Sequence, residues 1–262
     1  MSTPHIPLMS TLAASGETPE YLFWVGCAGS FDSRAQRITQ AMVKLLNHLE
    51  IDYAVLGQEE SCTGDPAKRS GNEFLFQMQA MQNIETLNMY NVKKIITACP
   101  HCFNTIKNEY PDLGGHYEVI HHSQFLQEFI DAGKLRIDDG GAFKGKKITF
   151  HDSCYLGRAN GIYEAPRRVI EALDADLSEM KRSRKNGLCC GAGGAQVFKD
   201  AEKGHKEVNT ERAEEALGTG ADVVAMNCPF CMIMFQDAVK KLDKENDVEL
   251  KDIAEIAAEN LH

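Results

Sequence analysis

Short apolar runs alternate along the chain with segments in which apolar residues recur at helical spacing. Residues 21–26 form a continuous apolar run, which is typical of a strand buried on both faces of a parallel sheet. Between Arg34 and Leu49 apolar side chains recur every three or four residues, which predicts a helix with one buried face. The same reasoning predicts strands at 53–56, 94–98, 117–120, 147–150, 177–181 and 221–226, and helices at 66–91, 123–132, 165–173, 200–217, 230–242 and 250–260.

This alternation predicts an α/β fold with two tandem repeat domains, each a mainly parallel sheet flanked by helices. Metal or ligand sites are then expected at the carboxyl ends of the strands. We expect a loose N-terminal tail and two repeats, over residues 1–20, 21–140 and 141–262. The inner side of the helix predicted over 66–91 is expected to carry Phe74, Met78, Met81 and Leu87.

The charge and hydropathy of the chain argue against binding to nucleic acid or anionic membranes and against a membrane span. Its 262 residues carry a formal net charge of −10, which disfavours nucleic acid and anionic membrane surfaces because both require a basic footprint. No direct membrane span is expected, because the longest apolar run, 223–236, is short and contains Asn227 and Pro229. We expect a cytoplasmic protein, or one held at the inner membrane through a partner. The basic run 181–185 is either a solvated loop or a docking patch.

Nine cysteines are distributed in two matching sets. The matching cysteines of the two halves are 127, 127, 129 and 129 residues apart. This constant spacing indicates that the chain arose by duplication and has one site in each half. In a cytosolic protein such cysteines are thiols that bind metal or carry redox chemistry, not disulfides. The first set is Cys27, Cys62, Cys99 and Cys102, and the second is Cys154, Cys189, Cys190, Cys228 and Cys231.

Four convergent thiolates can hold zinc or an iron–sulfur cluster, and both remain open for the first set. The second set favours iron, because adjacent Cys189 and Cys190 cannot easily direct both sulfurs at one small ion. Residues 191–194, Gly-Ala-Gly-Gly, are expected to let backbone amides approach the sulfurs. Four histidines near the cysteines could be hydrogen-bond donors or ligands: His101, His121, His122 and His151. Asp65, Asp152 and Arg158 could tune the reduction potential or bind substrate, and the two acids could instead have ordinary turn and capping roles.

The spacing Cys-x34-Cys-Cys-Gly-x36-Cys-x-x-Cys in the second half resembles the cysteine-rich, or CCG, domain of iron–sulfur oxidoreductases. The segments Glu-x-Cys-Thr-Gly-Asp-Pro-Ala at 60–67 and His-Asp-x-Cys-Tyr-Leu-Gly-Arg at 151–158 add to the likeness. Members of this family include the catalytic subunit of heterodisulfide reductases and the lactate and glycerol-3-phosphate oxidation iron–sulfur proteins. The resemblance implies a non-cubane [4Fe-4S] cluster on the second set. Thr63 replaces the second cysteine of the first Cys-Cys pair, so an ordinary [4Fe-4S] cluster or zinc is implied there.

The resemblance also implies a function as the electron-transfer subunit of an oxidoreductase complex. Electrons would pass from a ferredoxin-type iron–sulfur or flavoprotein subunit to a quinone-linked or disulfide acceptor, and the partner could be membrane-anchored. No residue is assigned a catalytic role. One alternative is a zinc-stabilised scaffold or assembly subunit of a respiratory complex. Another is a thiol–disulfide reductase, which would need an open cleft beside Cys190.

Overall fold

Two four-stranded parallel sheets organise the chain, one in each half. The computed structural model describes residues 5–136, 138–200 and 204–261. Residues 1–4 of the predicted tail and 201–203 of the helix predicted at 200–217 lie outside this description. The predicted fold class is confirmed, because both sheets are parallel and flanked by helices.

The first sheet has the strand order β2-β1-β3-β4, so its first strand lies in the middle. Its strands are buried and largely apolar, as a sheet covered on both faces requires. The elements of this half are α1 (Met9–Ala14), β1 (Tyr21–Trp24), α2 (Gly26–Phe31), α3 (Ala35–His48), β2 (Tyr53–Ala54), α4 (Asp65–Arg69), α5 (Glu73–Met89), β3 (Lys94–Thr97), α6 (Pro100–Asn104), a π-helix (Thr105–Glu109), β4 (Glu118–His121) and α7 (His122–Asp131).

The second sheet repeats this arrangement with the order β6-β5-β7-β8. In each half the first and third strands, which precede cysteines, are therefore neighbours. The elements of this half are β5 (Lys147–Phe150), α8 (Gly157–Asn160), α9 (Glu164–Glu171), β6 (Asp176–Leu177), α10 (Val208–Leu217), β7 (Val223–Met226), α11 (Pro229–Lys241), β8 (Glu249–Asp252) and α12 (Ile253–Glu259).

The long helix predicted at 66–91 is two helices, α4 and α5. The chain breaks at Gly71, whose φ of +84° is readily adopted only by glycine. Asn72 then starts α5, because its side-chain oxygen accepts a hydrogen bond from the amide of Leu75 at 3.1 Å. This N-cap fixes the residue at which the second helix begins.

The prediction for the inner face of this helix was wrong at three positions. Phe74, Met78 and Met81 are 75%, 54% and 53% exposed, whereas Leu87 is buried as predicted. Apolar residues occupy both sides of α5, so spacing alone did not identify the buried side. That side carries Phe76, Ala80, Asn83, Ile84 and Leu87.

Four other segments differ from expectation. Among the described residues, the helix predicted at 200–217 begins only at Val208. The helix predicted at 250–260 begins later, because residues Glu249–Asp252 form β8. The strand predicted at 177–181 is replaced by the short β6. At the N-terminus Met9 is buried, and its amide donates to the carbonyl of Val55 at 3.0 Å, so this part of the expected loose tail is attached to the first half. None of the helices within the described ranges is long and apolar enough to cross a bilayer.

The two halves contact each other through helices and buried polar pairs. Helix α12 packs against α3, and α9 packs against α7. Arg34 makes two hydrogen bonds, 2.8 and 2.7 Å long, to the carboxylate of Glu255. At the centre, His122 Nε2 lies 2.9 Å from Asp252 Oδ1, and both side chains are fully buried. The halves therefore have a defined relative orientation, which brings the carboxyl ends of the two sheets towards the same interface.

We expect His122→Leu to destabilise the protein by about 1–3 kcal/mol, because it removes a hydrogen-bond donor from the buried carboxylate of Asp252. Urea unfolding followed by circular dichroism would measure this as a lower midpoint. As a control, Lys244→Ala removes the exposed ion pair with Asp247 and should leave the midpoint unchanged. An unchanged midpoint for His122→Leu would show that the pair does not stabilise the interface.

Candidate metal centre

Local structure positions the cysteines at the carboxyl ends of the strands. Cys27 lies in α2, directly after β1, and Cys154 lies four residues beyond the end of β5. Cys99 and Cys228 are the residues immediately before α6 and α11. A proline follows each of them as the first helical residue, where a missing N–H costs no hydrogen bond. The second cysteine of each Cys-x-x-Cys motif is thereby placed on the first helical turn.

The structure brings together the four cysteines of the first set. The thiols of Cys27 and Cys62 hydrogen-bond to each other, which raises the pKa of Cys27 and lowers that of Cys62 to about 7. The thiol of Cys102 hydrogen-bonds to the thiol of Cys99, which raises the pKa of Cys102. Gly26 has a φ of +79°, and a Cβ there would lie 3.3 Å from Cys102 Sγ. The close approach of the backbone to the thiols therefore requires glycine.

The five cysteines of the second set form a continuous chain of sulfur contacts. The thiols of Cys154 and Cys190 both hydrogen-bond to Cys189, and they hold its pKa far below the usual range. The contact with Cys189 raises the pKa of Cys190 to about 12. Cys190 and Cys228 both contact Cys231 and raise its pKa. The fifth thiol thus belongs to the same group as the other four.

The two sets meet across the interface between the halves. The thiol of Cys102 lowers the pKa of Cys99 most, and the thiol of Cys228 from the other half lowers it further. Cys99 and Cys228 are only 2% and 1% exposed. A direct contact between cysteines of the two sets was not predicted from the sequence, since it depends on how the halves pack.

Several buried hydrogen-bond donors lie near the second set without a partner among the described residues. They are Asn227 Nδ2, His151 Nε2 and, in the arginine that donates to His151, Arg212 Nη2. The side-chain oxygen of Asn227 accepts a 2.8 Å hydrogen bond from Ser153, whose Oγ lies 3.5 Å from Cys231 Sγ. Buried donors are normally paired, so their arrangement fits a bound group that supplies acceptors. Inorganic sulfide in an iron–sulfur cluster is such an acceptor.

Beside the first cysteine set lie a threonine and a carboxylate. Thr63 occupies the position that Cys190 has in the second half, and its backbone oxygen accepts a 3.1 Å hydrogen bond from the hydroxyl of Tyr110. Burial raises the pKa of Glu60 to about 7, and its carboxylate accepts hydrogen bonds from the amides of Val25 and Gly26 at 3.0 and 2.6 Å. Glu60 therefore fixes the turn that carries Cys27.

The four histidines considered in the sequence have different positions. The ring of His101 bonds to Asp65 at 2.9 Å and stacks on Tyr155 of the other half, with 4.3 Å between ring centroids. His121 caps α7, and His122 pairs with Asp252 in the interface. A ring nitrogen of His151 lies within 4.8 Å of the sulfurs of Cys190 and Cys231. His151 is thus placed beside the second set.

The other polar residues considered in the sequence hold loops in place. Asp152 accepts two hydrogen bonds from the buried Arg167, at 2.8 and 3.0 Å, and Arg158 donates to the carbonyl of Gly187. In the basic run, Arg182 pairs with two carboxylates of its own half, those of Glu211 and Glu215, as expected of a solvated loop. The amide of Gly191 donates to Cys189 Sγ at 3.3 Å, as expected for the glycine-rich segment.

Sequence reasoning missed Arg212 and Asn227. Arg212 is fully buried in α10, where its Nε donates to His151 Nδ1 at 3.0 Å. No local pattern distinguishes it from the charged residues around it. Asn227 directly precedes Cys228, so its place beside a predicted ligand was a signal that could have found it.

A cavity of about 600 Å³ lies beside the segment that follows Cys190. Its lining includes Gly191, Val208 and Met234, and none of the nine cysteines is among the described residues that line it. Cys190 itself is 3% exposed. The open cleft that a self-contained thiol–disulfide reductase would need is therefore not found at this sulfur in the described structure.

Three curated proteins are similar to nearly the whole chain. "Probable iron-sulfur-binding oxidoreductase FadF" of Bacillus subtilis (strain 168) is 43% identical over 98% of this chain and 36% of its own length. "EtfAB:quinone oxidoreductase" of Syntrophomonas wolfei is 40% identical over 95% of this chain and 35% of its own length. One subunit of the dihydromethanophenazine:CoB–CoM heterodisulfide reductase of Methanosarcina barkeri is 34% identical over 92% of this chain and 59% of its own length.

The chain thus spans between about a third and three fifths of the length of these relatives. The family model described as "Cysteine-rich domain", CCG, matches residues 21–107 and 148–236. These two ranges contain all nine cysteines and together cover more than half of the chain. The chain therefore belongs to the CCG cysteine-rich domain family and contains two copies of the domain.

Proposed function

We propose that this chain is an iron–sulfur electron-transfer subunit or module of an oxidoreductase complex. The observation that supports this most directly is the group of five thiols joined by successive contacts, with buried donors beside it that have no partner among the described residues. The relatives support the same class, since two of them are named oxidoreductases and the third is named as part of a reductase. Because this chain covers only part of the length of these relatives, its substrates and partners are proposals as well.

The second cysteine set would hold a [4Fe-4S] cluster of the non-cubane type. Zinc takes four protein ligands in its structural sites, whereas this set has a fifth thiol within the same chain of contacts. When bound, the cluster supplies a centre that accepts and releases single electrons. The protein holds it by the thiolates of Cys154, Cys189, Cys190, Cys228 and Cys231.

The first set would hold a second [4Fe-4S] cluster or a zinc ion. It has four thiols, and Thr63 provides no sulfur at the position of the fifth. The contact between Cys99 and Cys228 places the two sets side by side, so iron in the first set would allow electrons to pass between the two sets. A zinc ion in this set would restrict electron relay to the second set.

The partners of this chain would be the donor and the acceptor of these electrons. A ferredoxin-type or flavoprotein subunit would supply them, and a quinone-linked or disulfide acceptor would receive them. A relative named as a membrane-anchored ferredoxin, 41% identical over 97% of this chain, supports a partner or attached domain at a membrane. The net charge of −10 supports a protein partner over nucleic acid.

Protein purified or reconstituted without oxygen should contain about four to eight iron atoms per chain, with a matching amount of acid-labile sulfide. The lower value corresponds to one cluster and the higher value to two. Metal analysis and electron paramagnetic resonance of the dithionite-reduced protein would measure this. A protein that binds only zinc under these conditions would support the scaffold hypothesis and contradict electron transfer.

Cys190→Ala should remove or strongly alter the paramagnetic signal of the second cluster, because it deletes the sulfur that joins Cys189 to Cys231. The matched control is Thr63→Ala, which changes the corresponding residue of the first half. Thr63 is also buried, and its backbone oxygen, not its side chain, accepts the hydrogen bond from Tyr110. This variant should therefore retain the iron and the signal. Equal signals from Cys190→Ala and the unmodified protein would contradict a ligand role for the fifth thiol.

A further inference from the structure

We infer that Arg212 is a positioning residue for the second cysteine set: it fixes the ring proton of His151 on Nε2, from which His151 donates to sulfur. The inference rests on the proposed function, since the sulfur acceptor belongs to the proposed cluster site. It assigns His151 as a donor and not a ligand, and it gives the buried Arg212 a role in setting the reduction potential.

The hydrogen bond between the two side chains determines the tautomer. Arg212 Nε lies 3.0 Å from His151 Nδ1. A guanidinium has only N–H donors and no acceptor, so Nδ1 must accept this hydrogen bond. A neutral imidazole that accepts at Nδ1 carries its proton on Nε2.

The surrounding contacts keep both side chains in place. Arg212 is fully buried, and its Nη1 donates to the carbonyl of Arg182 at 2.8 Å and to Glu215 at 3.1 Å. His151 packs against the ring of Phe235, with 4.9 Å between centroids. The guanidinium therefore cannot easily turn away from the imidazole, and the imidazole cannot easily flip.

The second ring nitrogen is available to the cysteine set. His151 Nε2 is buried and has no hydrogen-bond partner among the described residues. A ring nitrogen of His151 lies within 4.8 Å of the sulfurs of Cys190 and Cys231, and Nδ1 is already occupied by Arg212. A metal-ligating Nε2 would require the proton on Nδ1, where it would face the Arg212 donor. The geometry therefore favours an N–H···S hydrogen bond over coordination.

This arrangement is specific to the second half of the chain. The residue 127 positions before His151 is Trp24, which is also buried. An indole nitrogen is a donor with no alternative tautomer, so no arginine is needed to fix it. The pair Arg212–His151 is thus an addition to the duplicated scaffold at the site with five thiols.

Redox titration of the reconstituted full chain, followed by paramagnetic resonance, would test the inference. A hydrogen bond to cluster sulfur stabilises the reduced, more negative state. We therefore expect His151→Leu to make reduction of the second cluster about tenfold less favourable, which is 59 mV for one electron. His151→Gln keeps an amide donor and should recover most of this loss. Iron bound at this site with an unchanged potential in His151→Leu would overturn the inference.

A double-mutant cycle separates positioning from charge. Arg212→Gln should lower the potential when His151 is present but add little in the His151→Leu background, because Arg212 acts through His151. An equal shift in both backgrounds would show an effect of charge alone and would overturn the positioning role. If Arg212→Gln does not fold, Arg212→Met, which keeps similar packing volume, replaces it in the same cycle.

The controls distinguish failure of this inference from failure of the proposed function. Lys241→Gln removes a positive charge of the same half that pairs with Glu207 at the surface, away from the contacts of Arg212, and it should leave the potential unchanged. Absence of iron from the second set of the unmodified protein would refute the proposed function itself. Iron in that set, with a potential that does not respond to His151→Leu, would refute only the role given to His151 and Arg212.

Discussion

The structure depends on gathering nine thiols, five of them buried, at the interface between its two halves. A thiolate in a low-dielectric interior is costly unless positive charge or hydrogen-bond donors compensate it. Parallel strands satisfy the geometric part of this requirement, because their carboxyl ends deliver backbone turns and helix starts to one edge. The contact between Cys99 and Cys228 places the candidate metal centre in the interface between the halves. Packing between the halves therefore determines the separation of the two sets.

Duplication has preserved the scaffold while the residues around the thiols have diverged. Both halves have the same strand order and the same Cys-Pro-x-Cys helix start. In the first half, however, the short α6 passes into the π-helix at Thr105–Glu109, whereas α11 continues regularly for 13 residues. Inserted π-helical turns often accompany functional sites. Together with Thr63 in place of a cysteine, this difference fits the proposal that the two sites hold different cofactors.

The sequence predicted the sheets and the two cysteine sets, because strand burial and motif spacing are local properties. It did not predict which face of α5 is buried, since Phe74 and Phe76 are both apolar and lie on opposite sides of the helix, so only packing decides between them. It missed β8, whose residues Glu249–Asp252 are mostly polar and join the sheet by pairing with β7. These features depend on tertiary contacts that periodicity does not encode.

The same limit explains why the surroundings of the second site could be read only from the structure. Arg212 and His151 are 61 residues apart in sequence, and neither belongs to a motif with the other. A buried arginine is stable only where its donors find acceptors, and Arg212 finds them in an imidazole nitrogen, a carbonyl and a carboxylate. Among the described residues, two donors of this network lack an acceptor, Arg212 Nη2 and His151 Nε2, and the ring of His151 lies beside the thiols of Cys190 and Cys231. A cofactor that contributes sulfur acceptors completes the network, whereas a bare protein interior leaves it incomplete.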